Sequence, residues 1–324
     1  MKRFAPTYLR GQESGIRVPV PRDASGLTSR KCPLRDCGCY FKIRSGIGLT
    51  GDGIPCHCPY CGHAAPPDEF TTPEQIAYAE AVALRRVQEA LHQDLKSMEF
   101  TEKIDGPLGF RISMEFKPGP VLPIHGIVEK RLETQVTCDG CTLEYAIYGL
   151  FAFCPDCRRH NSLQILGMNV DVLEKELALA DELKERDSEV SERLVANALN
   201  GAVSAFDGFG REICRVYQTK ATDPAKAGVL SFQNPEGARK NVLDLFGFDF
   251  TQGLTPQENA SIIRGFQKRH LLAHRMGIVD EVYMKATGDP AAVVGRKIRV
   301  TQVEVREVLS LVRRLGTTLS SSLA

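Results

Sequence analysis

The chain has 324 residues, 43% apolar and 25% charged, with a formal charge of +1. That length allows two or three domains, the composition is that of an ordinary globular protein, and the near-zero charge excludes a molecule that is basic all over. Charge is nevertheless uneven: residues 1–31 hold seven Lys/Arg against two acids, 171–194 hold nine acids against four bases, and 261–315 hold eleven bases against five acids. The last region has a positive local field suited to a phosphate-bearing partner. MKRFAPTYLRG has no apolar core behind its basic residues, which argues against a signal peptide. The longest apolar run, YAIYGLFAF at 145–153, is far short of the roughly 20 residues of a membrane helix. The expectation is a cytoplasmic protein with no membrane partner. In that compartment eleven cysteines point to metal rather than disulfides.

In chain order, residues 1–70 read as a basic N-terminal arm followed by a first cysteine cluster. Cys32, Cys37 and Cys39 precede Cys56, Cys58 and Cys61. Six thiols are too many for one tetrahedral ion. CPYCG at 58–62 is the better-formed knuckle and CPLRDCG at 32–38 its partner, so Cys32, Cys37, Cys58 and Cys61 are the expected ligands, with Cys39 or Cys56 able to replace a neighbour. Residues 71–169 read as a linker helix, a β segment and a second cluster. The helix opens with Thr72, Pro73 and Gln75, a hydroxyl cap with a reciprocal amide. Ile76, Ala79, Ala83, Val87 and Leu91 line one face, expected to pack on the segment 104–136, where GFRISMEF is strand-like. In TCDGCTLEYAIYGLFAFCPDCRRH, Cys138, Cys141, Cys154 and Cys157 form two CxxC pairs. Four thiolates at about 2.3 Å close a shell around a structural zinc and leave no position for a catalytic water. Two structural zinc ions are thus expected. No internal repeat is visible.

Beyond residue 170 the pattern is helical. Val195, Leu199, Ala202, Phe206, Phe209, Ile213 and Val216 alternate steps of four and three, a seam that calls for another helix in this chain or in a second copy. Cys214 on the same stretch reads as a small packing residue. Asn234–Pro235 and Thr255–Glu258 open two further helices, which stop at Gly247 and Gly277. KIRV reads as extended, Thr301 to Gly316 as a last capped helix, and 319–324 as a frayed tail. The fold class expected is α+β and multidomain: two small zinc-binding β-rich modules, then an all-α bundle over 170–318.

The third helix of that bundle ends in Arg269, His270, His274 and Arg275, with Gly277 just past them. His270 and His274 are spaced like metal ligands, but no Glu stands between them as in HExxH. The bland reading puts one histidine in the core and the arginines in solvent.

RHLLAH at 269–274 resembles the Arg-x4-His signature of HEPN domains, with a polar residue after the Arg. The resemblance spans about 172–318, with SAFDGFGREIC on an earlier long helix and FQKRHLLAHRMGIVDEVYMK running past the motif. Arg264 with His270 fits a looser form of the signature. The resemblance implies a metal-independent endoribonuclease in a bacterial defence or toxin setting, working as a homodimer whose two motifs meet across the interface. A separate regulatory or antitoxin protein would be a further partner. Carried onto this chain, His274 is the general acid or base, Arg269 holds the scissile phosphate, and His270 is an auxiliary polar group. RNA is the expected partner and a 2′,3′-cyclic phosphate the expected product. Pairing is expected through the Val195–Val216 seam. Met276 stands where some HEPN toxins carry a Tyr that a partner modifies, so that mode of control is not implied. The other function weighed is a non-catalytic HEPN module for nucleotide or nucleic-acid binding or assembly.

Overall fold

The computed structural model describes residues 6–10, 15–44, 55–104, 110–124, 126–127, 130–132 and 134–324. It forms two compact units, Met1–Arg159 and His160–Ala324. The architecture is mixed α/β with small sheets and two four-cysteine groups. No helix among the described residues is long and apolar enough to cross a membrane.

The first unit is built on a four-stranded antiparallel sheet with the order β1-β2-β8-β7: Thr28–Lys31, Tyr40–Ile43, Glu144–Ile147 and Thr134–Thr137. Cys32 and Cys37 sit in the β1–β2 connection, and Cys138 and Cys141 in the β7–β8 connection. The two hairpins join through β2 and β8, with Lys42 opposite Ala146 and Ile43 opposite Tyr145. Each half adds a short knuckle, one beside the hairpin of β3 (Cys56–His57) and β4 (Ala64–Ala65), the other at Cys154–Cys157. The two short knuckles bond reciprocally. The N–H of His57, just before Cys58, donates to the carbonyl of Pro155, just after Cys154 (2.7 Å); the N–H of Phe153, just before Cys154, donates to Pro59, just after Cys58 (2.9 Å). Antiparallel pairing at the centre and crossed bonds between the knuckles describe a local two-fold. The cysteine half is therefore one duplicated unit around one sheet. It is not a pair of separate modules, and it does contain a repeat.

Helix α2, Pro73–Lys96, is inserted between these halves, and its Thr72/Gln75 capping box is formed. Gln75 also donates to the carbonyl of Ser29 on β1, fixing the helix start to the sheet. The expected apolar packing face is corrected: Ile76, Val87 and Leu91 are 48, 39 and 38% exposed. The helix borders 116–122 by a polar flank instead. The Gln88 amide bonds Pro120 and Leu122, and the His92 ring lies 5.5 Å from Phe116. The strand-like stretch is β6, Phe110–Met114, paired with β5, Phe100–Ile104. In the basic arm, α1 (Thr7–Arg10) is tied down by the buried carboxylate of Asp94, which accepts from the N–H groups of Thr7 and Tyr8.

The second unit is helical: α3 Ser162–Leu183, α4 Ser188–Val216, α5 Pro224–Ala227, α6 Pro235–Phe246, α7 Pro256–His274, α8 Glu281–Thr287 and α9 Gln302–Leu323. KIRV contributes only an isolated bridge, Ile278 to Lys297. The α4 seam is buried within this unit, with Val195, Leu199, Ala202, Phe206, Phe209 and Ile213 all in its core. That corrects the expectation of pairing through the seam: α3, α7 and α9 already cover it. Phe206 is the hub, edge-on to Phe232 (5.7 Å) and Phe266 (6.1 Å). Close packing against the helices rests on glycines, at a helix contact for Gly316 and at the α5–α6 connection for Gly210. A Cβ on Gly316 would lie 2.5 Å from Leu166 Cδ2, and one on Gly210 2.5 Å from the Phe232 ring. Gly316 is thus a packing position and not a helix stop. The helix runs on, with Leu319 and Leu323 buried, which corrects the frayed tail.

Candidate functional site

Two constellations carry chemistry, one in each unit. In the first unit the ligand atoms of Cys32, Cys37, Cys58 and Cys61 all lie within 4.8 Å of one another, as do those of Cys138, Cys141, Cys154 and Cys157. Sγ···Sγ separations are 3.7 Å for Cys32–Cys61 and Cys37–Cys58, and 3.5 Å for Cys138–Cys157 and Cys141–Cys154. Four thiolates at about 2.3 Å from a tetrahedral ion would stand about 3.8 Å apart, so both sets fit such an ion after small adjustments.

Local backbone geometry explains the convergence. At Cys58, Cys138 and Cys154 the first cysteine's N–H donates five residues ahead, and its carbonyl accepts from four ahead. That loop turns the two thiols of a CxxC to one side. The residue after the second cysteine has positive φ in all four knuckles: Gly38, Gly62, Thr142 and Arg158. Glycine does this without strain, whereas Thr142 and Arg158 take it at a cost of roughly 1 kcal/mol each.

Burial pushes the Cys32 thiol up to about 11 and Cys141 to about 12, and raises Cys58 and Cys154 as well. Thiolates in these positions need a cation to offset desolvation, and binding one releases protons. The six-thiol ambiguity is resolved by geometry. Cys56 is fully buried on β3, outside the tetrad, its thiol pushed up to about 12 by burial despite Arg30 nearby. Cys39 stands beside Cys37 but does not join the four. Cys214 is buried in the helical core, its thiol raised to about 12 by burial.

In the second unit, α7 starts at the Thr255/Glu258 capping box and ends at His274. Ile262, Gly265, Phe266, Lys268 and Leu271 form its buried face. Lys268 is held by the carbonyl of Arg299 (2.8 Å) and by Glu304 (2.7 Å), which fixes the helix rotation. His270 and His274 consequently sit on the exposed side, and neither packs in the core. Their rings are 4.9 Å apart. Arg269 is half-buried, and its Nε has no hydrogen-bond partner among the described residues.

Arg269, His270 and Arg275 line an open groove of about 1130 Å³ whose opposite wall is the exposed face of α6. His274 is not among its lining residues. Helix geometry gives the reason: five residues at 100° place Arg269 and His274 about 140° apart around the axis, while His270 lies between them. Arg264, the other arginine the motif could use, lines a separate hollow of about 20 Å³ with Lys268 and Glu304. Arg264 and His270 therefore do not share a cavity.

The sequence reading missed the α6 wall, where Asn241 and Asp244 face the groove, and Gln267 beside Arg269. The only available signal was the three- and four-residue spacing of Asn234, Gly237, Ala238, Asn241 and Asp244 along one helix face. Comparison with known proteins finds no matching family model, no matching curated protein and no matching solved structure.

Proposed function

We propose that the helical unit is a metal-independent endoribonuclease of HEPN type, working beside a cysteine unit that holds two structural zinc ions. The supporting observation is the set at the end of α7: two exposed imidazoles 4.9 Å apart and a guanidinium with an unpartnered, buried Nε at the wall of an open groove. In this reading one imidazole takes the proton of a ribose 2′-OH as that oxygen attacks phosphorus. The P–O5′ bond breaks, the other imidazole protonates the departing 5′ oxygen, and a 2′,3′-cyclic phosphate remains. Arg269 holds the phosphate and stabilises charge on its oxygens. The 140° between Arg269 and His274 favours a site completed by a second copy, so the active species is a homodimer. It equally favours a second reading, an RNA-binding module that does not cut. The setting implied by the resemblance is bacterial defence or a toxin system, with a separate regulatory protein.

The test is cleavage of mixed RNA without added metal by wild type, Arg269→Ala, His270→Ala and His274→Ala. His274→Ala lowers the rate by about 10²–10⁴-fold with unchanged circular dichroism, and wild-type products carry cyclic phosphate ends. Equal cleavage by all four proteins would rule the enzyme out. Binding without cleavage by wild type would select the second reading.

A further inference from the structure

We propose that the groove between α6 and α7 is a base-reading site for single-stranded RNA with a preference for adenine. The inference rests on the reading of Arg269 and His270 as an RNA site and adds what that site recognises. Most of the groove's charge is already paired: Lys226 bonds Asp223 at 3.1 Å, and Arg275 stands 3.7 Å from Asp280. The side chains in the groove that make no hydrogen bond or ion pair among the described residues are those of Asn241 and Asp244 on α6 and Gln267 and His270 on α7, and Arg269 adds a buried Nε with no partner.

Such a set is poor in net charge and rich in directional groups. One guanidinium suffices for one phosphate, and the amides and carboxylate present donors and acceptors to base edges. Asn and Gln match the N6/N7 edge of adenine bidentately, and a carboxylate accepts from an exocyclic amino group. Uracil has no amino group to donate to Asp244, so the carboxylate disfavours it. At about 1130 Å³ the groove exceeds the usual range of about 300–1,000 Å³ for small-molecule pockets, which favours a stretch of chain over one nucleotide. A base must be unpaired to present its edge here, hence the single strand.

The test uses the full-length protein, so both units stay intact. Fluorescent 2′-O-methyl oligo(A) and oligo(U) decamers, which lack the attacking hydroxyl, are titrated by anisotropy, with AMP as competitor. Wild type binds oligo(A) about tenfold tighter than oligo(U). Asn241→Ala and Gln267→Ala, both changes at the groove surface, bring that ratio close to one. Because about one or two phosphates are neutralised, log K falls with log salt at a slope between about −0.7 and −1.4.

Equal binding of the two decamers, a slope steeper than about −3, or AMP binding as tightly as oligo(A) overturns the inference. Adenine-preferring binding without any cleavage leaves the base-reading site standing and removes only the nuclease reading. Cleavage with indifferent binding does the reverse.

Discussion

The two units solve the same problem with different materials. In the cysteine unit, five of the fourteen described residues in the buried cluster are cysteines, and the described strands are two to five residues long. Four of those five belong to the tetrads, so much of its interior consists of thiols that must be deprotonated to bind an ion. In the helical unit the interior is a continuous apolar core around Phe206, with one buried thiol that does nothing but pack. The lesson is that short strands and tight knuckles bury little apolar surface alone, and sites able to hold an ion stand where core would be. Long helices joined at glycine contacts need no such help.

The largest expected effect breaks one side of this contrast and spares the other. Structural zinc contributes on the order of 10 kcal/mol to small metal domains. Cys58→Ser is therefore expected to unfold the cysteine unit. The crossed bonds of His57 and Phe153 tie the two knuckles together, so with the two zinc ions proposed above, bound metal should fall from two ions to fewer than one per chain by atomic emission. Limited proteolysis should then release an intact helical fragment beginning near His160. Retention of one full ion would show that the halves are independent.

A smaller effect sharpens the other side. Gly210→Ala drives a methyl into the Phe232 ring, itself fixed against Phe206, and overpacking of this kind costs about 1–3 kcal/mol. Thermal melting of the helical unit should fall by several degrees while the metal content of the cysteine unit is unchanged. An unchanged melting temperature would mean that the ring can move aside.

The smallest concerns charge. Burial alone would raise the Glu212 carboxyl, but hydrogen bonds from His160 and Arg215 hold it down at about 2. A carboxyl lowered in the folded state contributes fully above its unfolded value of about 4.3, and the contribution is lost as pH falls from there towards 2. Glu212→Gln should remove on the order of 1–2 kcal/mol at pH 7 and make the helical unit's stability flatter in that acid window. A variant as acid-sensitive as wild type would show that the pair contributes nothing.

What could be read from residues alone was whatever is local. Hydroxyl caps at Thr72, Thr255 and Thr301 and the two sets of paired cysteines depend on spacings of a few residues, and they appear as read. What could not be read was non-local. The duplication of the cysteine half escaped notice because α2 and its β hairpin interrupt it, and because CPLRDC and CDGC differ in length. Gly316 looked like a terminator because its neighbour Leu166 is 150 positions away in the chain. The seam on α4 was correctly apolar, but only packing shows which helices cover it. In the same way, the sequence allowed one of His270 and His274 to pack in the core, whereas α7 buries Lys268 and leaves both imidazoles exposed.

The pairing of β2 with β8 also sets an order of events at the ribosome. Arg44 and Glu144, bonded at 2.7 Å beside that pairing, are 100 residues apart. The first four thiols can capture their ion once residue 61 has emerged. The sheet edge at β2 then stays open until β8 is made, and the nascent chain carries a half-finished hairpin, already able to hold an ion, through the synthesis of the whole insert.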